Sequence, residues 1–296
     1  MSTATQVYEI VLMNLKSIPQ RLGASLVIVI GIAGVVGVLV AMLSMSTGLN
    51  KTLTATGDPN RAIILRGGSN GELASFLDRP SSTLIKQDPA IARHPDGLPF
   101  ASGELIVITE VPRKGQSSGA NVSLRGVEPK GFDIRPELNI LQGRKFKPGL
   151  RELMVGAGAY KQFDGLQVGS KLKFRGSYWD VVGVFETKDA HDSELWADLD
   201  TVQSAFGRSG MSSVVVRLNY SKAFDDLKRR LSADPQLTVD VKTEQDYFSS
   251  QSSGLTSQIG FLTNIVAYIM AFGALFGALN TMYSAVSART AEIGTL

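Results

Sequence analysis

The sequence lacks cysteine, has only two histidines, and carries no charged side chain in two long stretches. Without cysteine, the fold cannot depend on disulfide bonds. Asp, Glu, Lys and Arg are absent from residues 22–50 and again from 247–288, which excludes an ordinary soluble globule and a disordered chain. The 30 basic and 27 acidic residues among 296 are nearly balanced, so we predict no nucleic-acid partner.

Each uncharged stretch is long enough to cross a membrane as a helix. About 20 consecutive apolar residues span the hydrocarbon of a bilayer, and we therefore predict transmembrane helices at 22–46 and 259–287. A buried core helix is one alternative for the first stretch, although so long an uncharged helix is rare in a soluble domain. A cleaved signal peptide is another, but its apolar region usually has only about 7–15 residues and ends at a small-residue cleavage site.

Basic residues beside the two predicted spans indicate their orientation. Lys16 and Arg21 precede the first span and Arg289 follows the second, and cytoplasmic flanks are generally enriched in Lys and Arg. We predict that both chain ends lie in the cytoplasm and that residues 47–258 are extracytoplasmic. Basic residues on the opposite flank weaken this signal, but long loops are translocated largely regardless of their charge.

The segment before the first span has a helical pattern. Apolar residues at 7, 10, 11, 15 and 18 recur at helical spacing, which predicts an amphipathic helix at 1–21 on the cytoplasmic face of the membrane. Pro19 would turn the chain before it enters the bilayer. This helix is either a simple anchor or a lever that contacts a cytoplasmic partner.

The approach to the second span is unusual. Thr243 followed by Asp246 is typical of a helix N-terminus, and no proline follows before the chain ends. We predict a stalk helix at 243–258 that continues into the second span. A helix from Thr243 to Arg289 is about 70 Å long at 1.5 Å per residue, with Gly254 as a candidate break. Such a helix is suited to transmitting motion, although a simple spacer would have the same pattern.

Small residues in both spans predict contacts between membrane helices. Ala33, Gly37 and Ala41 lie four residues apart in the first span, and Gly273 and Gly277 form a GxxxG pattern in the second. Small side chains let membrane helices approach closely. Because GxxxG is common by chance in spans, the pattern predicts helix packing without identifying the partner helix.

The residues between the spans have the pattern of an α+β domain, placed at 47–242 as one domain or two subdomains. Segments rich in β-branched residues predict strands at 61–65, 104–111, 121–126, 171–175, 179–185, 213–218 and 237–241. Apolar residues at helical spacing predict helices at 157–163, 201–206 and 221–232. The predicted fold class is a membrane protein in which two transmembrane helices flank an extracytoplasmic α+β domain, with a long stalk helix leading into the second span.

The sequence carries no recognisable catalytic, cofactor or metal site. Gly126 and Gly131 have the spacing that opens a phosphate-binding loop, but Phe132 and Asp133 stand where lysine and serine or threonine are needed. His94, beside a proline, is interpreted as a loop residue. An acidic segment is interpreted as a solvated loop rather than a metal site, and it contains Asp189, His191, Asp192 and Glu194. We therefore predict no enzyme activity in this chain.

The stretch after the second span carries the most specific motif, Arg-Thr-x-Glu-Ile-Gly at 289–294. Weaker motifs in the middle domain are Gly-Val-Glu-Pro at 126–129, Gly-Arg-x-Phe at 143–146 and Val-Gly-Val-Phe at 182–185. Together with the order of amphipathic helix, span, large domain and span, these motifs make the whole chain resemble the permease subunits of MacB-type or FtsX-like ABC transporters.

The resemblance implies a permease subunit of the bacterial inner (plasma) membrane. Such a subunit couples a separate cytoplasmic ATPase to export or extraction of a substrate on the extracytoplasmic side. ATP and Mg²⁺ would bind that Walker-motif ATPase, so no cofactor is expected in this chain. A second permease copy, identical or different, and membrane lipid are implied partners, and a periplasmic adaptor is a further candidate. The resemblance assigns ATPase coupling to Arg289, Thr290, Glu292, Ile293 and Gly294. For Arg289, a positive-inside anchor is the alternative.

Two other functions stay open. In an FtsX-like protein the same drive regulates an extracytoplasmic enzyme by mechanical signalling and transports nothing, although the large middle domain favours the transporter. A two-span receptor or scaffold without an ATPase is the third hypothesis. Because the family has two further spans, we expect this chain to be the N-terminal portion of a permease, truncated within the start of the cytoplasmic coupling segment at 288–296.

Overall fold

The structure is a computed structural model that describes Tyr8 and residues 22–54, 56–115, 118–220 and 223–288. Except for Tyr8 and Ala288, the predicted amphipathic helix at 1–21 and the predicted coupling segment at 288–296 lie outside these residues. The chain divides into a compact unit, Asn50–Ser253, and a second unit made of the segments before and after it.

The described residues contain seven α-helices with defined bounds and ten β-strands. The helices are α1 (Leu22–Thr54), α2 (Arg79–Lys86), α3 (Gly131–Ile134), α4 (Ala157–Gln162), α5 (Leu199–Phe206), α6 (Ala223–Ala233) and α7 (Glu244–Ala288). The strands are β1 (Arg61–Arg66), β2 (Ala101–Pro112), β3 (Gly119–Val127), β4 (Asn139–Gly143), β5 (Glu152–Gly156), β6 (Lys171–Phe174), β7 (Ser177–Glu186), β8 (Leu195–Asp198), β9 (Ser213–Arg217) and β10 (Val239–Thr243). Short 3₁₀ turns lie at Glu72–Ala74 and Ala190–Ser193.

Two of the described helices are long and apolar enough to cross a membrane. Their apolar segments are Val29–Leu53 in α1, with 25 residues, and Ser257–Asn280 in α7, with 24 residues. Only 6% of the most apolar stretch of each segment is buried within the chain, so the exposed apolar side chains call for an apolar surrounding phase. The predicted fold class, two apolar helices flanking an α+β domain, is confirmed. The predicted bounds of the spans and domains stay predictions.

Helix α7 follows the last strand without a loop. The hydroxyl of Thr243, at the end of β10, accepts a hydrogen bond from the N–H of Asp246 at 3.0 Å, which confirms the predicted N-terminal cap. The helix contains 45 residues and is therefore about 68 Å long, against about 30 Å for the hydrocarbon of a bilayer. Gly254, the candidate break, is helical.

The ten described strands form one mixed sheet in the order β10-β1-β9-β2-β3-β8-β5-β7-β4, with β6 paired to β7 beside this path. Neighbouring strands are antiparallel except for the pairs β3–β8 and β5–β7. At one edge, β10 is paired along β1, from Thr243 opposite Ala62 to Val239 opposite Arg66. Because α7 begins at the next residue, this pairing fixes its first turn to the sheet.

Short helices cover the sheet with their apolar faces. Leu227 of α6 is buried in one cluster with Ile64 of β1 and Val241 of β10. Val202 of α5 belongs to a second cluster with Leu124 of β3. Burying one such side chain contributes roughly 1.5–3 kcal/mol, so these contacts hold the helices on the sheet.

The structure contains all seven strands and all three helices that the sequence predicts, with ends shifted by up to about three residues. The sequence pattern does not reveal β4, β5 and β8, nor the helices α2 and α3. The three strands have only four or five residues each. β5 and β8 together contain one β-branched residue, Val155, so their strand signal in the sequence is too short and too mixed.

Candidate functional site

A group of buried charged side chains lies where α7 begins. We call it the ionic joint. Its side chains are each at most 13% exposed. The members are Arg61, Glu72, Glu104, Arg125, Arg135, Glu194 and Glu244. They come from β1, β2, β3, the first 3₁₀ turn, the residues after α3 and before β8, and the first position of α7.

Arg125 is the centre of the joint. Its guanidinium donates to both carboxylate oxygens of Glu72, at 2.9 and 3.1 Å, and to one oxygen of Glu104 at 2.7 Å. It also donates to both oxygens of Glu194, at 2.7 and 2.8 Å. Paired N–H donors in the planar guanidinium match carboxylates geometrically, so this one side chain ties three segments of the domain together.

Two further arginines extend the joint to the first residue of α7. Arg135 donates to Glu104 at 2.6 and 3.1 Å, and its Nη2 lies 3.6 Å from Glu244 Oε1. Arg61 donates from Nε to Glu244 Oε2 at 2.5 Å and pairs with the partly exposed Glu137 at 2.7 Å. The helix dipole also favours a carboxylate in the first turn. The start of α7 is thus joined to β2 and β3 through consecutive ion pairs.

Burial and charge oppose one another at Glu104. Burial disfavours its charged form, but Arg135 and Arg125 outweigh burial and lower its pKa to about 2. Glu104 is therefore ionised at neutral pH although its side chain is fully buried. Removing one partner of such a buried pair typically costs about 3–5 kcal/mol, because the other charge is left uncompensated.

The first turns of α7 also contact the domain through uncharged groups. The Tyr247 hydroxyl accepts a hydrogen bond from the N–H of Glu72 at 3.1 Å, and the Tyr247 side chain is buried. Phe248 meets the ring of His191 edge-on, with centroids 5.5 Å apart. One turn later, the Gln251 amide donates to the carbonyl of Asn70 at 2.6 Å. Contacts with the domain therefore continue along α7 for two turns.

The interpretation of the segment around His191 as a solvated loop is wrong. His191 is 1% exposed, and its Nδ1 lies 3.0 Å from Asp189 Oδ1. Burial disfavours the charged imidazole, but Asp189 and, more weakly, Glu194 raise the pKa of His191. The carboxylate of Glu194 also accepts a hydrogen bond from the Trp196 indole at 2.8 Å. The segment is polar because its charges are paired inside the domain.

Among the described residues, no three or more His, Cys, Asp or Glu side chains are arranged so that they could hold a metal ion. The loop that resembles a phosphate site has a packing role here, since Phe132 is buried beside Phe146 and Trp196. His94 lies outside the regular elements, as predicted, with its ring stacked on Phe100 at 3.5 Å.

The other residues that the sequence singles out do not belong to the joint. Those assigned to ATPase coupling, 289–294, lie outside the described residues. The small residues at the predicted packing positions are exposed in α1 and α7, and a Cβ on Gly37 or Gly273 would meet nothing within 4 Å. Helix packing at Ala33, Gly37, Ala41, Gly273 and Gly277 thus stays a prediction.

Sequence reasoning does not reveal the joint, because its members are far apart in the chain. Arg125 lies 53 residues from Glu72 and 69 from Glu194, and Arg61 lies 183 residues from Glu244. One signal was available. Glu104 and Arg125 each stand beside a leucine in an apolar strand, at positions where a solvated charge is not expected.

Comparison with known proteins identifies the domain. Residues 24–234 match the family model described as the MacB-like periplasmic core domain. No curated protein matches the sequence.

Three solved structures match part of the chain. The extracellular domain of the noncanonic ABC-type transporter YknZ from Gram-positive bacteria is 14% identical, with a TM-score of 0.46, 62% of this chain covered and 100% of that one. The periplasmic region of MacB from Actinobacillus actinomycetemcomitans is 17% identical, with a TM-score of 0.47 and coverages of 63% and 90%. A domain of a putative permease from Porphyromonas gingivalis is 13% identical, with a TM-score of 0.34 and coverages of 61% and 84%.

Proposed function

The chain belongs to the family of the MacB-like periplasmic core domain, and on that premise we propose that it is a permease subunit of an ABC transporter. A separate cytoplasmic ATPase drives it, and the chain passes the resulting movement to the domain Asn50–Ser253 on the extracytoplasmic side. Movement of that domain exports or extracts a substrate.

The start of α7 is the observation that carries this proposal. The helix begins at Glu244, inside the ionic joint, and continues into the apolar segment Ser257–Asn280. A covalent chain that only tethers a domain needs no buried ion pairs at the point of attachment. Burying several charges is costly unless all are paired, so a joint of this kind is suited to anchoring the first turn of the helix firmly to the sheet.

The joint distributes force over several strands. A displacement of Glu244 acts on Arg61 and Arg135, and through Glu104 on Arg125. These residues belong to or flank β1, β2 and β3. Detaching one carboxylate costs a few kcal/mol, several times the thermal energy of about 0.6 kcal/mol, so the domain moves with the helix under thermal fluctuations.

The partners follow from the family. The ATPase carries ATP and Mg²⁺ and contacts the segment 289–294 of this chain. Arg289 and Glu292 are the charged residues of that segment. A second permease copy packs against the small-residue faces of the spans, and membrane lipid surrounds the remainder. Both chain ends lie on the cytoplasmic side of a bacterial inner membrane, and a periplasmic adaptor is a candidate further partner.

Co-purification tests this proposal. The chain, co-expressed with a Walker-motif ATPase from the same cell, should bind that ATPase and change the rate at which it hydrolyses ATP. Arg289→Ala together with Glu292→Ala should weaken the association, while Lys228→Gln on α6 should not. A chain that binds no ATPase would refute the proposal. ATP-dependent movement of substrate in liposomes then distinguishes transport from mechanical regulation of an extracytoplasmic enzyme.

A further inference from the structure

Two adjoining grooves lie on the domain beside Ile108 of β2, and no member of the ionic joint is among their lining residues. Their volumes are about 480 and 430 Å³, and Ile108, Arg175 and Phe206 line both. Each volume is within the range of about 300–1,000 Å³ that small-molecule sites occupy. We call the two together the basic groove.

The floor of the basic groove carries two apolar side chains, Ile108 and Phe206, and its rim is cationic. Ile108 is 41% exposed although it lies in a central strand, and Phe206 lies beside it at the end of α5. Lys173, Arg175 and Arg208 provide the rim. Within the described residues none of these three cations pairs with a carboxylate.

One acidic residue, Glu110, lines the first groove. The lining therefore carries three cations and one anion, an excess of two positive charges. An apolar floor with an uncompensated cationic rim is complementary to a molecule that combines a hydrocarbon part with an anionic group.

Arg175 occupies a backbone position that its side-chain type does not favour. It forms, with Gly176, the two-residue turn between β6 and β7, and the φ angles are 51° and 73°. Turns with two positive φ angles strongly prefer Asn-Gly or Gly-Gly. A non-glycine residue with such a φ angle is uncommon, and the Arg175 guanidinium lies 5.3 Å from the centre of the Phe206 ring. The turn thus presents a positive charge over the groove floor.

We propose that the basic groove binds an amphiphile with an anionic head group. The head group pairs with Arg175 and its cationic neighbours, and the hydrocarbon part covers Ile108 and Phe206. The proposal names a substrate class for the transporter and rests on the proposed function for that role, whereas binding itself needs no ATPase.

The groove also reaches the ionic joint through one segment. Leu73, which is 64% exposed, lines the second groove. It follows Glu72, which accepts from Arg125 and donates its N–H to Tyr247 of α7. A ligand lying against Leu73 therefore contacts the same short turn that holds the start of α7.

Photolabelling tests the proposal with the full chain in nanodiscs of phosphatidylcholine. The probe is dodecyl phosphate with a diazirine at the end of its chain, and the neutral control is dodecyl maltoside with the same diazirine. The phosphate should label peptides that contain Ile108 and Phe206 saturably, about 10-fold more than the maltoside does. Labelling confined to the spans, or equal labelling of the groove by both probes, would overturn the proposal.

Variants isolate the head-group contact. Arg175→Asn suits the positive φ angle and should lower labelling of the groove about 3-fold, with a loss of about 10-fold when Arg208→Gln is added. Lys228→Gln removes an exposed cation near another aromatic ring, Phe224, and should change nothing. Undiminished labelling of the double variant would also overturn the proposal. Loss of ATPase binding, by contrast, would refute the proposed function and leave the groove result unaffected.

Discussion

Replacing Glu244 by glutamine removes one charge from the ionic joint at almost constant volume. In the wild type, this carboxylate accepts from Arg61 at 2.5 Å and from the N–H of Asp58 at 3.2 Å, and Arg135 lies 3.6 Å away. The side chain is 1% exposed, so water cannot replace the lost charge. Glu244→Gln leaves two buried guanidiniums with less compensation.

The size of the expected stability loss depends on the ion pairs that Arg61 and Arg135 retain in the variant. A buried ion pair that loses one partner typically costs about 3–5 kcal/mol. Arg135 retains Glu104 and Arg61 retains the partly exposed Glu137, so we expect a smaller loss, about 2–3 kcal/mol. For a domain of this size, 1 kcal/mol shifts Tm by about 2–4 °C. The expected decrease in Tm is therefore about 4–12 °C.

Tryptophan fluorescence during heating measures this change, because both tryptophans, Trp179 and Trp196, are fully buried in the domain. Glu152→Gln is the matched control. Glu152 also pairs with an arginine, at 2.6 and 2.7 Å, but that arginine, Arg144, is 48% exposed. Water can solvate Arg144 in the Glu152→Gln variant. The Tm of this variant should therefore fall by less than a third of the decrease expected for Glu244→Gln. Equal shifts in the two variants would contradict the argument that burial makes the joint strong.

Three further predictions concern the domain. The pKa of Glu104 is about 2 in the folded domain against 4.5 when unfolded. This difference implies about 3 kcal/mol of stability that is present above pH 4.5 and lost as the pH falls towards 2. Urea unfolding at a series of pH values should show this loss, and a free energy of unfolding that stays constant below pH 4.5 would refute it. Asp189 raises the pKa of His191 although burial opposes this. The contribution of this pair to stability is therefore complete below the unfolded pKa of about 6.5 and is lost as the pH rises through the higher folded value. His191→Phe should abolish this decline in stability, and an unchanged dependence of stability on pH would exclude His191 as its cause. Leu227→Ala on α6, where Leu227 is fully buried, should cost about 2–5 kcal/mol in urea unfolding, whereas a cost below about 1 kcal/mol would mean that α6 does not pack as described.

The architecture was predictable from the sequence because its signals are local. An uncharged stretch of more than 20 residues predicts a span by itself. Short runs of β-branched residues predict β1 and β9 without reference to any other segment. The cap at Thr243 is equally local, since it needs only Asp246 three residues later. The strands β5 and β8 were not predicted, because they are short and are recognisable as strands only when paired with neighbours far along the chain.

The ionic joint was not predictable for a related reason. Glu194 and His191 lie in a segment whose composition is typical of a polar loop. Only the fold brings Arg125 into contact with Glu194. A charged residue in a short polar segment is usually solvated. The exception arises where strands from distant parts of the chain present complementary charges to one interior, and single-sequence patterns do not encode that juxtaposition.

The central claim is that α7 carries ATP-driven movement to the domain through the ionic joint. Because the chain has no cysteine, Lys228→Cys gives a single labelling site for a donor dye on α6. In nanodiscs that contain acceptor-labelled lipid and the bound ATPase, energy transfer reports the distance between the domain and the bilayer. We predict that ATP changes this distance in the wild type and that Glu244→Gln reduces the change while ATP hydrolysis continues. No ATP-dependent change in the wild type, or the same change in Glu244→Gln, would contradict the claim.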